Sequence, residues 1–350
     1  MATQDQPGIP FSIAHEQQNF RLLELPDELV ELLSASDAPF LQLKSSPPSD
    51  PSTSTPSKPA NAVLCTANKT YQIRQVQTSN SVFFIQPSST SNEDAIPTPG
   101  VTAIATIQST LELLPSNHPS PSRLLDDLLL KWNATTSLPD FLSRSKGKAH
   151  RSKQHLFSDV PLSGAECGSA WYALCAFQHE VFCVRPTVVA LHKLWRQMVI
   201  ACLVSDIDIA GTGRIYANEI WEALKDEDEG WPLALVDAVV GHLGSAPVEG
   251  GVLVEKEKLL AFIGGLVLET ETVVSKNMDE KTLVEKWKEN VPDKWRGDVS
   301  LELIKDNCKI SGSIVTALSY RDELDSAGTA PARKDTAGRK WHEKFKAGRR

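Results

Sequence analysis

The sequence lacks the motifs of the common nucleotide-dependent, hydrolytic and metal-dependent enzymes. It contains no GxxxxGKS/T phosphate loop, no GxGxxG after a predicted strand, no GxSxG elbow and no HExxH motif. ATP hydrolysis by this chain is therefore not expected, and no motif indicates a cofactor or a bound metal. We expect a protein that is not an enzyme.

Paired cysteines and long apolar runs are also missing. None of the six cysteines forms a CxxC pair, and most stand beside apolar residues, which predicts buried free thiols. No apolar run approaches the ~18 residues that a membrane helix needs. The polar segment 1–10 has no apolar core of a secretory signal, so we expect an intracellular protein without membrane contact. The cysteines are Cys65, Cys167, Cys175, Cys183, Cys202 and Cys308.

The formal net charge of -8 is unevenly distributed. Residues 141–155 hold five basic and no acidic residues, residues 331–350 hold eight basic and two acidic residues, and the remainder carries a formal -19. Such basic segments predict contact with nucleic acid or a nuclear address, with a solvated linker and tail as the alternative. The candidate DNA-binding residues are Arg144, Lys146, Lys148, Arg151, Lys153, Arg333, Lys334, Arg339, Lys340, Lys344 and Lys346.

The first third of the chain has the pattern of several short strands around one short helix. Such spacing is typical of a barrel or sandwich, and it predicts a β-rich barrel domain at 11–118 after a disordered segment 1–10. Two stretches inside it, 45–60 and 88–100, are poor in apolar residues and are predicted to be mobile loops. The predicted strands are 20–25, 40–44, 62–65, 71–76, 82–85 and 101–107, and the predicted helix is 27–33.

From residue 119 the apolar period changes to 3.6, which predicts helices separated by short extended segments. Helices followed by a small strand or hairpin favour tandem winged-helix domains. The predicted fold class is α+β, with an N-terminal β-barrel-like domain followed by these modules. The predicted modules are 119–186 with a basic linker at 144–153, 187–275, and 276–325, before a basic tail at 326–350.

One loop has the spacing of an EF-hand, from Asp208 at position 1 to Glu219 at position 12, with Gly213 at position 6. A calcium loop also needs oxygen ligands at positions 3 and 5. Position 3 is Ala210, which offers none, and position 5 is Thr212, a weak ligand. We therefore favour a glycine-containing loop that enters a helix over a calcium site.

Three short motifs in the predicted β domain identify a family. Ala62 to Thr66 spells AVLCT, Thr70-Tyr71 opens the next strand, and Ser79-Asn80-Ser81 precedes an apolar strand. In this order they resemble the DCC (defective in sister-chromatid cohesion) subunit of the alternative replication factor C clamp loader. The likeness covers about residues 20–310. The short basic end, Arg339 to Lys346, departs from the family pattern and leaves open whether the third module is truncated.

The resemblance implies a non-catalytic, nuclear adaptor in DNA replication. Members of that family build a shared β-barrel with the smallest subunit of the clamp loader and with the C-terminal end of its large ATPase subunit. Their winged helices bind the catalytic subunit of DNA polymerase epsilon and can touch DNA, and the sliding clamp is reached only indirectly. The resemblance therefore implies a link between clamp loading and sister-chromatid cohesion.

The candidate partner-binding strand is Val82, Phe83, Phe84 and Ile85, because exposed apolar strands need a partner. An internal core strand is the alternative reading of these four residues. A second functional hypothesis is a stand-alone winged-helix DNA-binding regulator. That hypothesis requires a basic recognition helix, whereas the predicted helix 164–177 carries Glu166 and no Lys or Arg.

Overall fold

The computed structural model describes residues 8–45, 62–90, 98–116, 121–134, 152–225, 230–244, 251–274 and 278–318. The fold is mixed α+β, as predicted, and it contains a curled half-barrel sheet. The chain divides into two compact units. Of the described residues, unit 1 comprises those within 1–130, 145–174 and 180–183, and unit 2 comprises those within 131–144, 175–179 and 184–350. No helix in the described ranges is long and apolar enough to cross a membrane.

Unit 1 is built on a six-stranded sheet with the order β1-β6-β5-β4-β3, in which β2 also pairs with β6. The two central strands, β5 and β6, form a long antiparallel hairpin, and β1 and β2 run parallel to β6. The strands are β1 Phe11–Ile13, β2 Leu22–Glu24, β3 Gln42–Ser45, β4 Ala62–Cys65, β5 Thr70–Thr90 and β6 Thr98–Pro115.

The β5–β6 hairpin is longer than the sequence pattern predicts. Segments 71–76 and 82–85 belong to one strand, because the polar residues between them are accommodated by a register shift between Gln77 and Val82. The prediction of a mobile loop over 88–100 is wrong at both ends. Ser88 pairs with Gly100 and Thr90 with Thr98, since backbone pairing does not require apolar side chains. Residues 91–97 and 46–61 lie outside the described part.

The helix α1 (Asp27–Ser34) covers the end of the hairpin where β5 begins and β6 ends. Leu29 of this helix is buried in a cluster with Leu64, Tyr71 and Leu113. The Tyr71 hydroxyl donates to Glu28 Oε1 over 2.5 Å, and Lys69 forms an ion pair with the same carboxylate. Apolar burial and a polar clamp therefore hold the helix on this part of the sheet.

Three further helices belong to unit 1: α2 (Pro121–Asp126), α3 (Lys153–Asp159) and α4 (Gly164–Ala173). The helix α4 begins with a capping box, in which Ser163 accepts from the Glu166 amide and Glu166 accepts from the Ser163 amide. It ends earlier than the apolar stripe predicts. Cys175 has a φ of 47°, which breaks the helix, and Phe177 lies in a strand.

The remaining helices lie in unit 2 and alternate with short strands. The helices are α5 Val188–Val204, α6 Ala217–Leu224, α7 Leu233–His242, α8 Lys256–Val274 and α9 Glu280–Glu289, followed by 3-10 helices at Asp293–Asp298 and Leu301–Asn307. The short strands after β6 are β7 Leu130–Trp132, β8 Phe177–His179, β9 Phe182–Pro186, β10 Arg214–Tyr216, β11 Gly251–Leu253, β12 Met278–Asp279, β13 Cys308–Ser311 and β14 Ile314–Ala317. They form sheets of order β7-β9-β8, β10-β11 and β12-β14-β13.

Two tryptophans organise the core of unit 2. Trp195 on α5 and Trp287 on α9 are both fully buried. The Trp195 indole donates to the Asn290 carbonyl over 2.7 Å. Gly264 on α8 allows Trp287 to approach, since a Cβ there would lie 2.4 Å from the indole ring. The long helices α5 and α8 fall where the 3.6 period predicts them, because their apolar stripes face this core.

Candidate partner-docking surface

The predicted partner-binding strand, Val82 to Ile85, lies in the half of the hairpin that α1 does not cover. We call this half, residues 82–90 of β5 and 98–107 of β6, the distal arm. Val82 lies opposite Ile107, Phe83 opposite Thr106 and Phe84 opposite Ala105, and a register irregularity then brings Ile85 opposite Ala103. Successive side chains of a strand point to opposite faces, so apolar side chains occupy both faces of the arm.

All four side chains are exposed. The exposed fractions are 46% for Val82, 43% for Phe83, 36% for Phe84 and 54% for Ile85. An internal core strand would bury at least one face of this segment, whereas all four of its side chains are exposed in the described structure. Their cross-strand partners on β6 are less exposed than these four residues, since Ala103, Ala105 and Ile107 are buried.

Two aromatic pairs fix the rings of the distal arm. The Phe83 ring meets Phe11 of β1 edge to face, with 5.8 Å between centroids. The Phe84 ring lies 5.0 Å from that of Phe20, at an interplanar angle of 31°. Such pairs orient the rings without burying them. The distal arm therefore presents an apolar surface whose aromatic side chains are already ordered.

The outer edge of β5 is open along most of its length. The neighbouring strand β4 pairs with β5 only from Thr70 to Gln72. Within the described residues, no strand pairs with this edge between Ile73 and Thr90. An unpaired edge offers a row of N–H and C=O groups that another strand can extend. Backbone hydrogen bonding and apolar contact are thus available side by side on the distal arm.

The β6 edge of the distal arm contacts the segment of the chain that leads into β1. Val101 donates its amide to the Pro10 carbonyl over 2.8 Å, just before β1 pairs with β6. Gly100 is required here, because a Cβ would lie 2.9 Å from the Pro10 carbonyl oxygen. One edge of the hairpin is therefore occupied by the protein itself, whereas the β5 edge is unpaired beyond Gln72 in the described part of the chain.

The base of the hairpin is fixed by a partly buried polar network that the sequence analysis did not predict. Glu166 accepts hydrogen bonds from the Thr70 hydroxyl at 2.5 Å and from the Ser163 hydroxyl at 2.6 Å, and Ser163 itself is fully buried. Lys44 on β3 donates to the carbonyls of Phe157 and Leu162, each over 2.7 Å. The capping-box pattern from Ser163 to Glu166 is a sequence signal that could have revealed part of this network.

Only one of the predicted DNA-binding residues lies in the described part of the chain. The Lys153 ammonium lies over three rings, 5.0 Å from the Trp171 centroid, 5.4 Å from Phe157 and 5.8 Å from Tyr172. Cation–π contacts of this kind stabilise the charge at the protein surface. The other ten candidates lie outside the described residues: Arg144, Lys146, Lys148, Arg151, Arg333, Lys334, Arg339, Lys340, Lys344 and Lys346.

In the loop with EF-hand spacing, the carboxylate at position 1, Asp208, forms contacts within the protein. Asp208 pairs with Lys294 over 2.6 Å and accepts from the Ala210 amide over 3.0 Å. The hydrogen bond from Lys294 is the main reason that the pKa of Asp208 lies below its usual value. Glu219 stands in the first turn of α6. Among the described residues, no cluster of three or more His, Cys, Asp or Glu side chains could hold a metal ion.

All six cysteines are free and buried, as predicted. Burial raises the pKa of Cys175 and Cys202 to about 12 and that of Cys167 to about 11. A thiol nucleophile or metal ligand needs the opposite shift. These cysteines are therefore packing residues in the two units.

Comparison with known proteins agrees with the motifs around the hairpin. A search of curated proteins found no significant match. The sequence model of one protein family, described as sister chromatid cohesion protein Dcc1, matches residues 20–322. This range includes the whole β5–β6 hairpin and the helices α1 to α9. This match covers most of the chain, so the protein belongs to the Dcc1 family of sister chromatid cohesion proteins.

Proposed function

We propose that the protein is a non-catalytic adaptor subunit of an alternative replication factor C-like clamp loader. Membership of the Dcc1 family implies a role in sister chromatid cohesion. Within that role, the protein would link the clamp loader to the replicative polymerase and to DNA, in the nucleus, for loading of the sliding clamp. ATP binding and hydrolysis would belong to other subunits, since this sequence has no phosphate loop.

The observation that carries this proposal is the distal arm. It combines four exposed apolar residues, Val82 to Ile85, with a β5 edge that is open from Ile73 to Thr90 in the described structure. Strand addition from another chain would pair the edge and place the side chains of the added strand beside the apolar residues on both faces of the arm. The proposed occupants are the smallest subunit of the clamp loader and the C-terminal end of its large ATPase subunit.

The helical modules supply the second half of the proposed link. The sheets β7-β9-β8 and β12-β14-β13 share one order, in which the first strand pairs with the last strand of a following hairpin. In both cases helices separate the first strand from the hairpin. This order supports tandem winged-helix modules, the last of which reaches Ala317 with its hairpin. We propose that these modules contact the catalytic subunit of DNA polymerase epsilon and, weakly, DNA.

The helix α4 and the 3-10 helix of the last module do not have the side chains that the stand-alone DNA-binding regulator requires. The helix α4 has no basic residue, and Glu166 is engaged at its first turn. In the last module, the 3-10 helix at Leu301–Asn307 carries Glu302 and Asp306 beside Lys305. Base-reading helices display basic and amide side chains instead. The adaptor therefore remains the function that the surface chemistry supports best.

The test is reconstitution of the full chain with the smallest clamp-loader subunit and the C-terminal segment of the large ATPase subunit. A Val82→Asp and Ile85→Asp variant should lose the complex in size-exclusion chromatography, because two charges would be buried against apolar surface. The matched control is Val30→Asp on α1, where the valine has the same exposed fraction of 46% as Val82. Equal complex formation by wild type and the double variant would reject the distal arm as the docking surface.

A further inference from the structure

The segment that contains β1 is held on the β6 edge of the distal arm mainly by its backbone. We call residues 9–18 the strap. Its three paired residues run parallel to β6, and a hydrogen bond continues this contact beyond β1. The backbone bonds run from the Val101 amide to the Pro10 carbonyl at 2.8 Å, from the Ala14 amide to the Ala103 carbonyl at 2.9 Å and from the Gln18 amide to the Ile104 carbonyl at 2.8 Å.

The side chains of the strap bury very little surface. The exposed fractions are 73% for Ile9, 53% for Phe11 and 58% for Ile13. Every residue of the strap is exposed except Ala14, which is partly buried. Ordering a chain segment costs conformational entropy, and apart from the ring contact of Phe11 little apolar contact offsets that cost here. The strap is therefore weakly held for a strand of a sheet.

The strand β2 is held differently, although it pairs with the same strand in the same direction. It leads directly into Leu25, which packs against the buried cluster that contains Leu29 of α1. The family model begins at residue 20, so it includes β2 but not β1. The hydrophobic core thus anchors β2, whereas the strap depends on backbone hydrogen bonds and one ring contact.

The strap occupies an edge that another strand could use. On this edge of β6, β1 pairs from Val101 to Ala103, and β2 pairs only from Thr110 onward. Within the described residues, no other strand pairs with this edge. Removal of the strap would therefore leave β6 open from Val101 to Ser109. A typical strand has about 5–6 residues, so the freed edge is long enough to pair with one.

We propose that the strap is a displaceable placeholder, which covers the β6 edge of the distal arm in the free protein and yields it to a strand of the partner. The proposal rests on the proposed function, whose partner chains would supply that strand. With the strap displaced, both edges of the distal arm are open, because the β5 edge is already unpaired beyond Gln72 in the described structure. In the free protein, the strap protects one of these edges from pairing with other chains.

Gly100 allows a substitution in the full chain that loosens the strap and leaves Val82 to Ile85 unchanged. A Cβ at Gly100 would lie 2.9 Å from the Pro10 carbonyl oxygen, so Gly100→Ala pushes the strap away from β6. Titration with the labelled smallest clamp-loader subunit and C-terminal segment of the large ATPase subunit measures the affinity. Gly100→Ala should bind about tenfold more tightly, the gain expected where the displaced form is about 10% populated. The matched control is Gly8→Ala, which should bind as the wild type does, because a Cβ there meets no atom within 4 Å.

A disulfide provides the opposite perturbation. Ser12 and Thr102 are cross-strand partners, and their hydroxyl oxygens lie 2.8 Å apart. The Cα spacing of neighbouring strands, about 5 Å, suits a disulfide, so Ser12→Cys with Thr102→Cys should form one on oxidation. The oxidised variant should bind the partner segments about tenfold more weakly than its reduced form. Ser12→Cys alone is the control, and the native cysteines should not interfere, because all six are buried.

Hydrogen exchange of the free protein tests the strap without any partner. The Val101 amide should exchange at least about tenfold faster than the amides that join β5 to β6 beside α1, and the disulfide should slow it.

Three results would overturn the inference: equal protection of the Val101 amide in wild type and in the oxidised variant, equal partner affinity of the oxidised and reduced forms, or weaker binding by Gly100→Ala. The last result would make the strap part of the docking surface. Absence of a complex with every variant would reject the proposed function instead, and hydrogen exchange would still decide whether the strap is displaceable. Circular dichroism of each variant checks that the protein remains folded.

Discussion

At the scale of single residues, Glu166 is the side chain on which most of the base of the hairpin depends. Its carboxylate accepts from two hydroxyls and one amide, those of Thr70 and Ser163, in a place where Ser163 is fully buried. Bonds to a charged acceptor contribute more than neutral ones, and their loss leaves buried donors without a partner. One residue thus joins the first turn of α4 to the first residue of β5.

The first prediction is that Glu166→Gln destabilises the protein by about 1–3 kcal/mol, the range for a lost charge-assisted bond and an unpaired buried donor. Denaturant unfolding followed by circular dichroism measures the change. The control is Glu302→Gln, since Glu302 is 82% exposed and its ion pair with Lys305 should contribute little. A Glu166→Gln protein as stable as this control would show that the network is not needed for folding.

The Tyr71–Glu28 hydrogen bond makes the stability of unit 1 depend on pH in the alkaline range. Burial first, and then the bond to Glu28, raise the pKa of Tyr71 to about 12. An unfolded tyrosine has a pKa of about 10. Because the pKa of Tyr71 is higher in the folded than in the unfolded protein, its contribution to stability is fully present below pH ~10. This contribution is lost as the pH rises to about 12.

The second prediction compares wild type with Tyr71→Phe over this range. Below pH ~10 the wild type should be more stable by about 1 kcal/mol, a typical net value for one hydrogen bond. The advantage should shrink toward pH 12 as the tyrosine ionises. In a Glu28→Gln background the same comparison should give a smaller difference, because the acceptor has been weakened. A difference that stays constant up to pH 12 would contradict this account.

At the scale of elements, apolar periodicity predicts which segments form helices that pack in the core, but it does not predict the residue at which each helix ends. The apolar stripes of α5 and α8 predict both helices correctly, because each helix buries one side in the core. The apolar stripe of α4 continues past the end of the helix, since Phe177 is apolar for a different reason, namely its burial in the strand β8. The positive φ of Cys175, which ends the helix, has no signal in the sequence.

The distal arm shows which part of the candidate site the sequence could predict. The run Val82 to Ile85 was sufficient to predict an apolar strand and a partner-binding role as one of two alternatives. Its exposure could not be predicted, because that depends on where α1 lies along the hairpin. The open edge of β5 could not be predicted from the sequence either, since it results from the short pairing of β4 with Thr70 to Gln72.

The loop from Asp208 to Glu219 supports a prediction at the same scale. Lys294 occupies the first carboxylate and Ala210 offers no ligand, so calcium should leave the melting temperature of the wild type unchanged. Bound calcium at 100 times its dissociation constant would add about 2.7 kcal/mol, which is easily detected. The matched variant is Ala210→Asp with Lys294→Gln, which should gain some calcium response. A calcium-specific rise in wild type that Glu219→Gln abolishes would restore the EF-hand interpretation.

At the scale of the whole molecule, charge is segregated along the chain. Residues 141–155 and 331–350 are basic, whereas the remaining residues are strongly acidic in sum. An acidic body repels DNA, so any attraction must come from the basic segments. Binding to phosphates alone is independent of sequence and sensitive to salt, because each contact releases counterions.

The last prediction follows from this segregation. DNA affinity should be weak, independent of sequence and steeply dependent on salt, with a slope of about -0.9 per phosphate contact in a plot of log affinity against log salt. A variant with six basic residues of the tail changed to glutamine should bind a fluorescent duplex more weakly and with a shallower slope. Five substitutions of Arg144, Lys146, Lys148, Arg151 and Lys153 to glutamine test the other segment in the same way, and Lys153 should contribute least because its ammonium is held over three rings. If both variants keep the affinity and slope of the wild type, DNA contact must come from the helical modules instead. The six tail residues are Arg333, Lys334, Arg339, Lys340, Lys344 and Lys346.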